Sequence, residues 1–225
     1  MTTTTTLPAV IPDGDALFDS VPPYAREFLL DMLHHATASF HYLPAGAAGW
    51  LQPRSFIEAL REDIDPADTP NPALTTELLV AQRLRLRDAL LRATMTETRH
   101  VIAEDYLRQV PYAFPKVATR DLFDQLISVA TRERGVCDKR TTLLLLPQNC
   151  GLRTTGGDFS LVCFANRPPY GYIEHAAGGE RKFGAEELRR LNKQEARLLD
   201  ASLDEGQSLD LLLELRAAAE RLHGA

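Results

Sequence analysis

Three groups of residues have the types and spacing for chemistry. The first is built on Cys150, which stands in "PQNCGLRTTGGDF" between Asn149 and Gly151. A thiolate nucleophile needs a neighbouring base or positive field to lower its pKa. His175 is the nearest histidine downstream, and Asp158 or Glu174 could orient its imidazole. Together they would form a Cys/His pair of hydrolase or transferase type. No family-specific motif flanks Cys150, so the plainer reading is a free thiol in a turn and a histidine on a strand face.

The second group has metal-ligating types. His34 and His41 are seven residues apart, which places them on nearly one face of a helix. Glu97 and His100 form a Glu-x-x-His spacing, the device by which helical bundles hold metals, usually twice over. Here it occurs once. The plainer reading is a solvated helix face of Glu97, His100 and Glu104. Cys137, Cys150 and Cys163 with His175 would make a zinc set, but no closely spaced cysteine pair exists. Cys163, inside "SLVCFA", reads as a small buried residue.

The third group would bind rather than react. Arg132, Arg134, Lys139 and Arg140 bracket Gly135 and fit an acidic or phosphorylated partner. Tyr170 and Tyr172 are two apart and share a strand face, so they form either a recognition platform or a cover for the sheet. Gly156-Gly157 lacks the following Lys-Ser/Thr of a phosphate loop, and no G-x-G-x-x-G opens a helix. No cofactor is expected.

The elements that must position these groups follow from periodicity. Residues 1–13 are Thr-rich and aperiodic and read as a mobile tail. "PPYAREFLLDMLHHATASFHYL" repeats apolar residues at three- and four-residue steps, from Phe28 through Met32 and Ala36 to Phe40, and predicts one helix ending at Pro44. A short helix follows in "PRSFIEALREDI". From Asn71-Pro72 to about Val110 the pattern is helical, as one helix or as two with a bend near "TMTET". "DLFDQLISVATRERG" predicts another helix, capped by Thr119 or Asp121 and stopped by Gly135. "TTLLLLP", "FSLVCFANR" and "YGYIEHA" read as three strands of an antiparallel meander with glycine- and proline-rich turns. Two helices close the chain, 185–203 and 208–224, the second with Ser208 as cap.

The predicted fold class is therefore α+β: a helical N-terminal half, a small meander of about three antiparallel strands and two C-terminal helices. Residues 14–225 are expected to form one domain, with a possible sub-boundary near 111–120. The stretch from "DLFDQLISVATRERG" through "SLVCFANRPPYGYIEH" to "KFGAEELRRLN" resembles GAF-type sensor domains, which run helix, strand, late hairpin and an F-x-x-E-E-L-x-x-L helix. Phe183, Glu186, Glu187, Leu188 and Leu191 match that last element. The resemblance covers less than half of the chain and lacks the middle of such a domain, so the fold expectation rests on periodicity.

Composition narrows the function classes. Apolar residues make up 44% and charged residues 25%, enough to bury a core. The net charge of -6 gives no global attraction for nucleic acid, which is disfavoured as a partner. Three cysteines do not suit a disulfide framework. No apolar run approaches the roughly 20 residues of a membrane span. A cytoplasmic location follows as an expectation. The function expected is a non-catalytic binding or regulatory protein that acts through helical and sheet surfaces. It would be dimeric through the apolar "LDLLLELRAAAERL" helix. The alternative is an enzyme built on Cys150 and His175, or on a metal held by His34, His41, Glu97 and His100.

Overall fold

The structure is a computed structural model, and it describes residues 18, 21, 23–62, 75–91, 97–133, 141–152, 157–175 and 178–224. The described residues form seven helices around one six-stranded mixed sheet. The strands are β1 (Ala36–Leu43), β2 (Glu97–Ala103), β3 (Thr141–Leu146), β4 (Phe159–Phe164), β5 (Tyr170–His175) and β6 (Gly178–Lys182). Their order in the sheet is β3-β2-β1-β4-β5-β6. β1, β2 and β3 run parallel, and β4, β5 and β6 continue the sheet antiparallel from β1.

Two predicted helices give way to strands. Helix α1 (Pro23–His34) stops at His34, and the residues expected to continue it form β1, in the middle of the sheet. Within 36–43 the large residues Phe40 and Tyr42 alternate with Ser39 and His41, a period of two that coexists with the four-residue steps. The long helical pattern likewise divides into α3 (Thr76–Leu91), strand β2 and α4 (Glu104–Ala113). β2 carries Thr98, Val101 and Ile102, residue types that fit a pleated surface. Of the expected three-stranded meander only β4 and β5 pair antiparallel, and the strand that continues them is β6, a strand not among those expected. β3 does not belong to the meander, because it pairs in parallel with β2.

The other helices are α2 (Arg54–Glu62), α5 (Lys116–Ala130), α6 (Ala185–Ala201) and α7 (Glu205–Gly224). Helix α5 starts before the expected caps. The left-handed residue after it is Arg132, at φ 53, while Gly135 lies outside the described residues. The expected tail, residues 1–13, also lies outside them. The stretch that carries the GAF resemblance holds α5, β3, β4, β5, β6 and α6.

Alternation along the strands sorts the core into two faces. On one face Phe40, Tyr42, Val101, Phe159 and Leu161 pack against Leu191 and Leu198 of α6. Gly171 permits that approach, since a Cβ there would lie 2.2 Å from Leu191 Cδ1. On the opposite face Leu43, Ile102, Leu143 and Leu145 meet α2, α4, α5 and α7. Val162, Tyr170 and Tyr172 continue that face toward α1 and α3.

Candidate functional site

The register of β2, β1 and β4 builds a polar row in the helix-covered face. His41 of β1 pairs with Ser160 of β4 on one side and with His100 of β2 on the other. Both histidines are fully buried. His41 Nδ1 lies 2.8 Å from Ser160 Oγ, and Nε2 lies 2.9 Å from Ser39 Oγ. One ring nitrogen donates and the other accepts, as a neutral imidazole requires. Ser39 Oγ in turn donates to Thr98 Oγ1 at 3.5 Å. The His100 ring stacks on His41 at 4.9 Å between centroids, and neither of its nitrogens has a hydrogen-bond partner among the described residues. Burial drives the His41 pKa well below the ordinary value, helped by the neighbouring His100, and burial pulls His100 down to about 3. Both rings are therefore uncharged at neutral pH.

A cleft of about 240 Å³ opens beside this row. Its place follows from the topology. After β1 the chain turns toward the helix-covered face, into the 3-10 turn Gly49–Leu51 and α2. The loop entering β4 packs Cys150 and Leu152 on the opposite, α6-covered face. β1 and β4 are antiparallel, so the cleft lies where the carboxyl end of β1 meets the amino end of β4.

The cleft takes its apolar wall from Phe28 of α1 and from Trp50 of the turn. Trp50 stands edge-on to His41, at 5.0 Å between ring centroids. Phe28 stacks on Tyr172 at 4.3 Å. The polar wall consists of Gln52, Asp158, Ser160, Tyr172 and Glu174. Gln52 donates from Nε2 to the Ala47 carbonyl at 2.7 Å, and its buried Oε1 has no partner among the described residues. Tyr172 Oη, which lies over Gly179 of β6, is also buried without a partner among the described residues, and burial, then Glu174, then Tyr24 push that phenol upward. Burial also raises the Asp158 carboxyl, against a weaker opposing backbone hydrogen bond. Tyr106 of α4 reaches the Ala47 backbone behind the cleft. Burial foremost, with Asp158 contributing, pushes its phenol up to about 12.

The expected dyad is spread over the sheet. Cys150 follows β3, its N–H donating to the Pro147 carbonyl at 3.2 Å, and it packs partly buried against the α6-side core. His175 ends β5 opposite Gly178. β2, β1 and β4 lie between β3 and β5. Asp158 lines the cleft instead. Cys163 is exposed rather than buried, and Cys137 lies outside the described residues.

The expected helical metal spacing does not exist. In a strand, residues three apart point to opposite faces, so Glu97 and His100 are separated by the sheet. Glu97 is exposed and pairs with Arg99 at 2.7 Å, whereas His100 is in the core. His34 ends α1 on the surface, and only His41 joins His100. Among the described residues no group of three or more His, Cys, Asp or Glu side chains is placed to hold a metal ion.

Of the binding candidates, Arg132 forms an ion pair with Glu205, while Arg134, Lys139 and Arg140 lie outside the described residues. Tyr170 and Tyr172 share a face, as expected, but both are buried. Tyr170 donates to Asp31 Oδ2 at 3.0 Å, and Asp31 also pairs with Arg167. Trp50, Gln52 and Ser160 had no part in the sequence-based site. One signal was available: the chain's single tryptophan sits in the small-residue loop "AGAAGWLQP", where little else could need so large a side chain.

The Ser160–His41 contact has the distance of a nucleophile and its base, but the second imidazole nitrogen is held by Ser39 rather than by a carboxylate. A histidine whose pKa is depressed this far is also a weak base. The arrangement is suited to holding a molecule rather than to activating a nucleophile. No curated protein and no solved structure matches the chain. Residues 27–214 match the family described as Domain of unknown function (DUF5753), a span containing all six strands and every residue that lines the cleft. The protein belongs to that family.

Proposed function

We propose that the protein is a non-catalytic, regulatory binding module that takes a small molecule into the cleft between the carboxyl end of β1 and the amino end of β4. The observation that carries this reading is a buried polar atom on a residue of the cleft wall, Gln52 Oε1, which has no hydrogen-bond partner among the described residues. Burying a polar atom without a partner is unfavourable by about 1–3 kcal/mol, and a ligand that supplies the partner recovers it. The cleft is smaller than the roughly 300 Å³ at which drug-sized sites begin, so the ligand is of small-metabolite size.

Trp50 is the only tryptophan, so its fluorescence reports the cleft directly. Titration with a metabolite panel is expected to give a saturable change in that signal. Gly49→Leu should abolish it without unfolding the protein, since a Cβ at Gly49 has nothing within 4 Å. Binding that survives this substitution places the ligand elsewhere and defeats the proposal. Self-association belongs to the same reading. It stands on Leu213 and Leu222, which α7 leaves exposed. A monomeric mass by light scattering at micromolar concentration counts against it.

A further inference from the structure

We infer that β6 is a docking edge for a second copy of this chain: two β6 strands pair antiparallel about a two-fold axis at Arg181 and join two sheets into one. This goes beyond the cleft reading and uses a different surface from α7. The two edges of the sheet differ. At β3 the backbone groups of Leu145 are taken up by Leu203 and by Ser208 of α7. β6 is the opposite edge. Glu174 N–H donates to the Asp158 carbonyl, so Tyr172 and Glu174 turn their backbone groups toward β4, and Gly171, Ile173 and His175 turn theirs toward β6. Their counterparts Lys182, Glu180 and Gly178 therefore face inward, while Gly179 and Arg181 point their N–H and C=O groups outward. No described residue hydrogen-bonds to those outward groups.

Charged side chains usually keep an edge strand from pairing. On β6 their order favours one register. A continuous sheet that keeps α6 of both copies on the same side centres its two-fold axis on Glu180, Arg181 or Lys182. The first choice sets glutamate against glutamate, and the last sets lysine against lysine. Pairing about Arg181 sets Glu180 opposite the partner's Lys182, and Lys182 opposite the partner's Glu180. Both are non-hydrogen-bonded pairs, in which side chains lie closest. Glu180 and Lys182 already pair at 2.6 Å within one chain, so the four side chains form a square of alternating charge. Each Arg181 exchanges both backbone bonds with its counterpart and keeps its guanidinium on Glu27 of its own α1. Gly179 falls opposite the partner's Phe183. Phe183 is 59% exposed, and Tyr24, which lies against Gly178, is 42% exposed, so pairing covers large apolar side chains that one copy leaves open at this edge.

Sedimentation velocity on the full chain is expected to show a dimer at tens of micromolar. Glu180→Lys and Lys182→Glu should each weaken it about tenfold, since each sets like charges opposite one another twice. An equimolar mixture of these two variants should recover the dimer, because the mixed pair restores both opposite-charge contacts. Arg181→Pro removes an outward N–H that β5 does not use and should give a monomer. Arg181→Ala keeps that N–H and should remain dimeric. Far-UV circular dichroism confirms that each variant is folded. A wild-type chain that is monomeric at that concentration overturns the inference. So does a dimer that neither the charge variants nor Arg181→Pro weakens, and its loss on Leu213→Glu would place the contact on α7 instead. Weakening by the charge variants without recovery on mixing overturns the two-fold register. Ligand binding in the cleft stands or falls separately, on the Trp50 titration.

Discussion

His41 and His100 face each other across paired strands in a dry interior, and their charge state links the site to stability. In the unfolded chain a histidine titrates near 6.5, whereas burial holds His100 neutral down to about 3. Between these values the unfolded chain binds more protons, so stability falls as pH drops below about 6.5 and goes on falling toward 3. The slope for one histidine is at most about 1.4 kcal/mol per pH unit. Urea midpoints measured from pH 7.5 to pH 5 are expected to fall accordingly. His100→Leu should flatten that fall by about one proton, and an unchanged slope would show that His100 is not the group responsible. Asp158 acts with the opposite sign. Its folded pKa is raised above the unfolded value, so its charged form opposes folding at neutral pH, and that opposition fades as pH falls through its folded pKa. Asp158→Asn is therefore expected to raise the melting temperature at pH 7 and to lose that advantage at pH 3. A fall at pH 7 would mean that the carboxylate makes a favourable contact in the fold. A residue that weakens the fold while facing a cleft fits a role in binding.

Among the elements, α7 does more than cover the core. β3 is an edge strand, and its outward backbone groups at Leu145 need partners. The start of α7 supplies them. Leu145 N–H donates to Ser208 Oγ at 3.0 Å, and Leu203 N–H donates to the Leu145 carbonyl at 2.9 Å. Ser208, read from the sequence as a helix cap, lies inside α7, fully buried, with its hydroxyl donating to the Leu203 carbonyl at 3.2 Å. Ser208→Ala strands a buried donor and is expected to lose about 1–3 kcal/mol in chemical denaturation. Faster exchange of the Leu145 amide should accompany the loss, with recovery in Ser208→Thr; a loss under about 0.5 kcal/mol would mean that water replaces the hydroxyl. A second tie anchors the loop after β3. Glu104, at the start of α4, accepts from the Gln148 N–H at 2.9 Å and from Arg108 at 2.7 Å. The chain that leads from β3 to Cys150 is thus tied to α7 and to α4.

At the scale of the whole molecule, one hydrophobic cluster draws on β1, α2, β2, α4, α5, β3 and α7. The expected sub-boundary near 111–120 falls at the α4–α5 junction, where Phe114 packs on Phe56 of α2 at 4.4 Å between rings. Unfolding followed by Trp50 fluorescence and by far-UV circular dichroism is expected to give coincident midpoints, and two separate midpoints would mark a boundary there. Among the described residues no helix is long and apolar enough to cross a membrane, as the absence of long apolar runs implied. The sequence by itself determined most of the later elements, though not strand β6. The apolar run of β3, the proline-rich turn before β5 and the spaced leucines of α6 and α7 each admit one local solution. It did not determine β1 and β2. Phe28, Met32, Ala36 and Phe40 satisfy a helical period, while Phe40 and Tyr42 satisfy a strand period. Pairing decided between them, with partners such as Ser160 and Thr98 that lie 119 residues from His41 and 59 from Ser39. The cleft depended on the same decision. Phe28, Trp50, Asp158 and Tyr172 share no local spacing, and only a sheet in which the carboxyl end of β1 meets the amino end of β4 brings them to one wall.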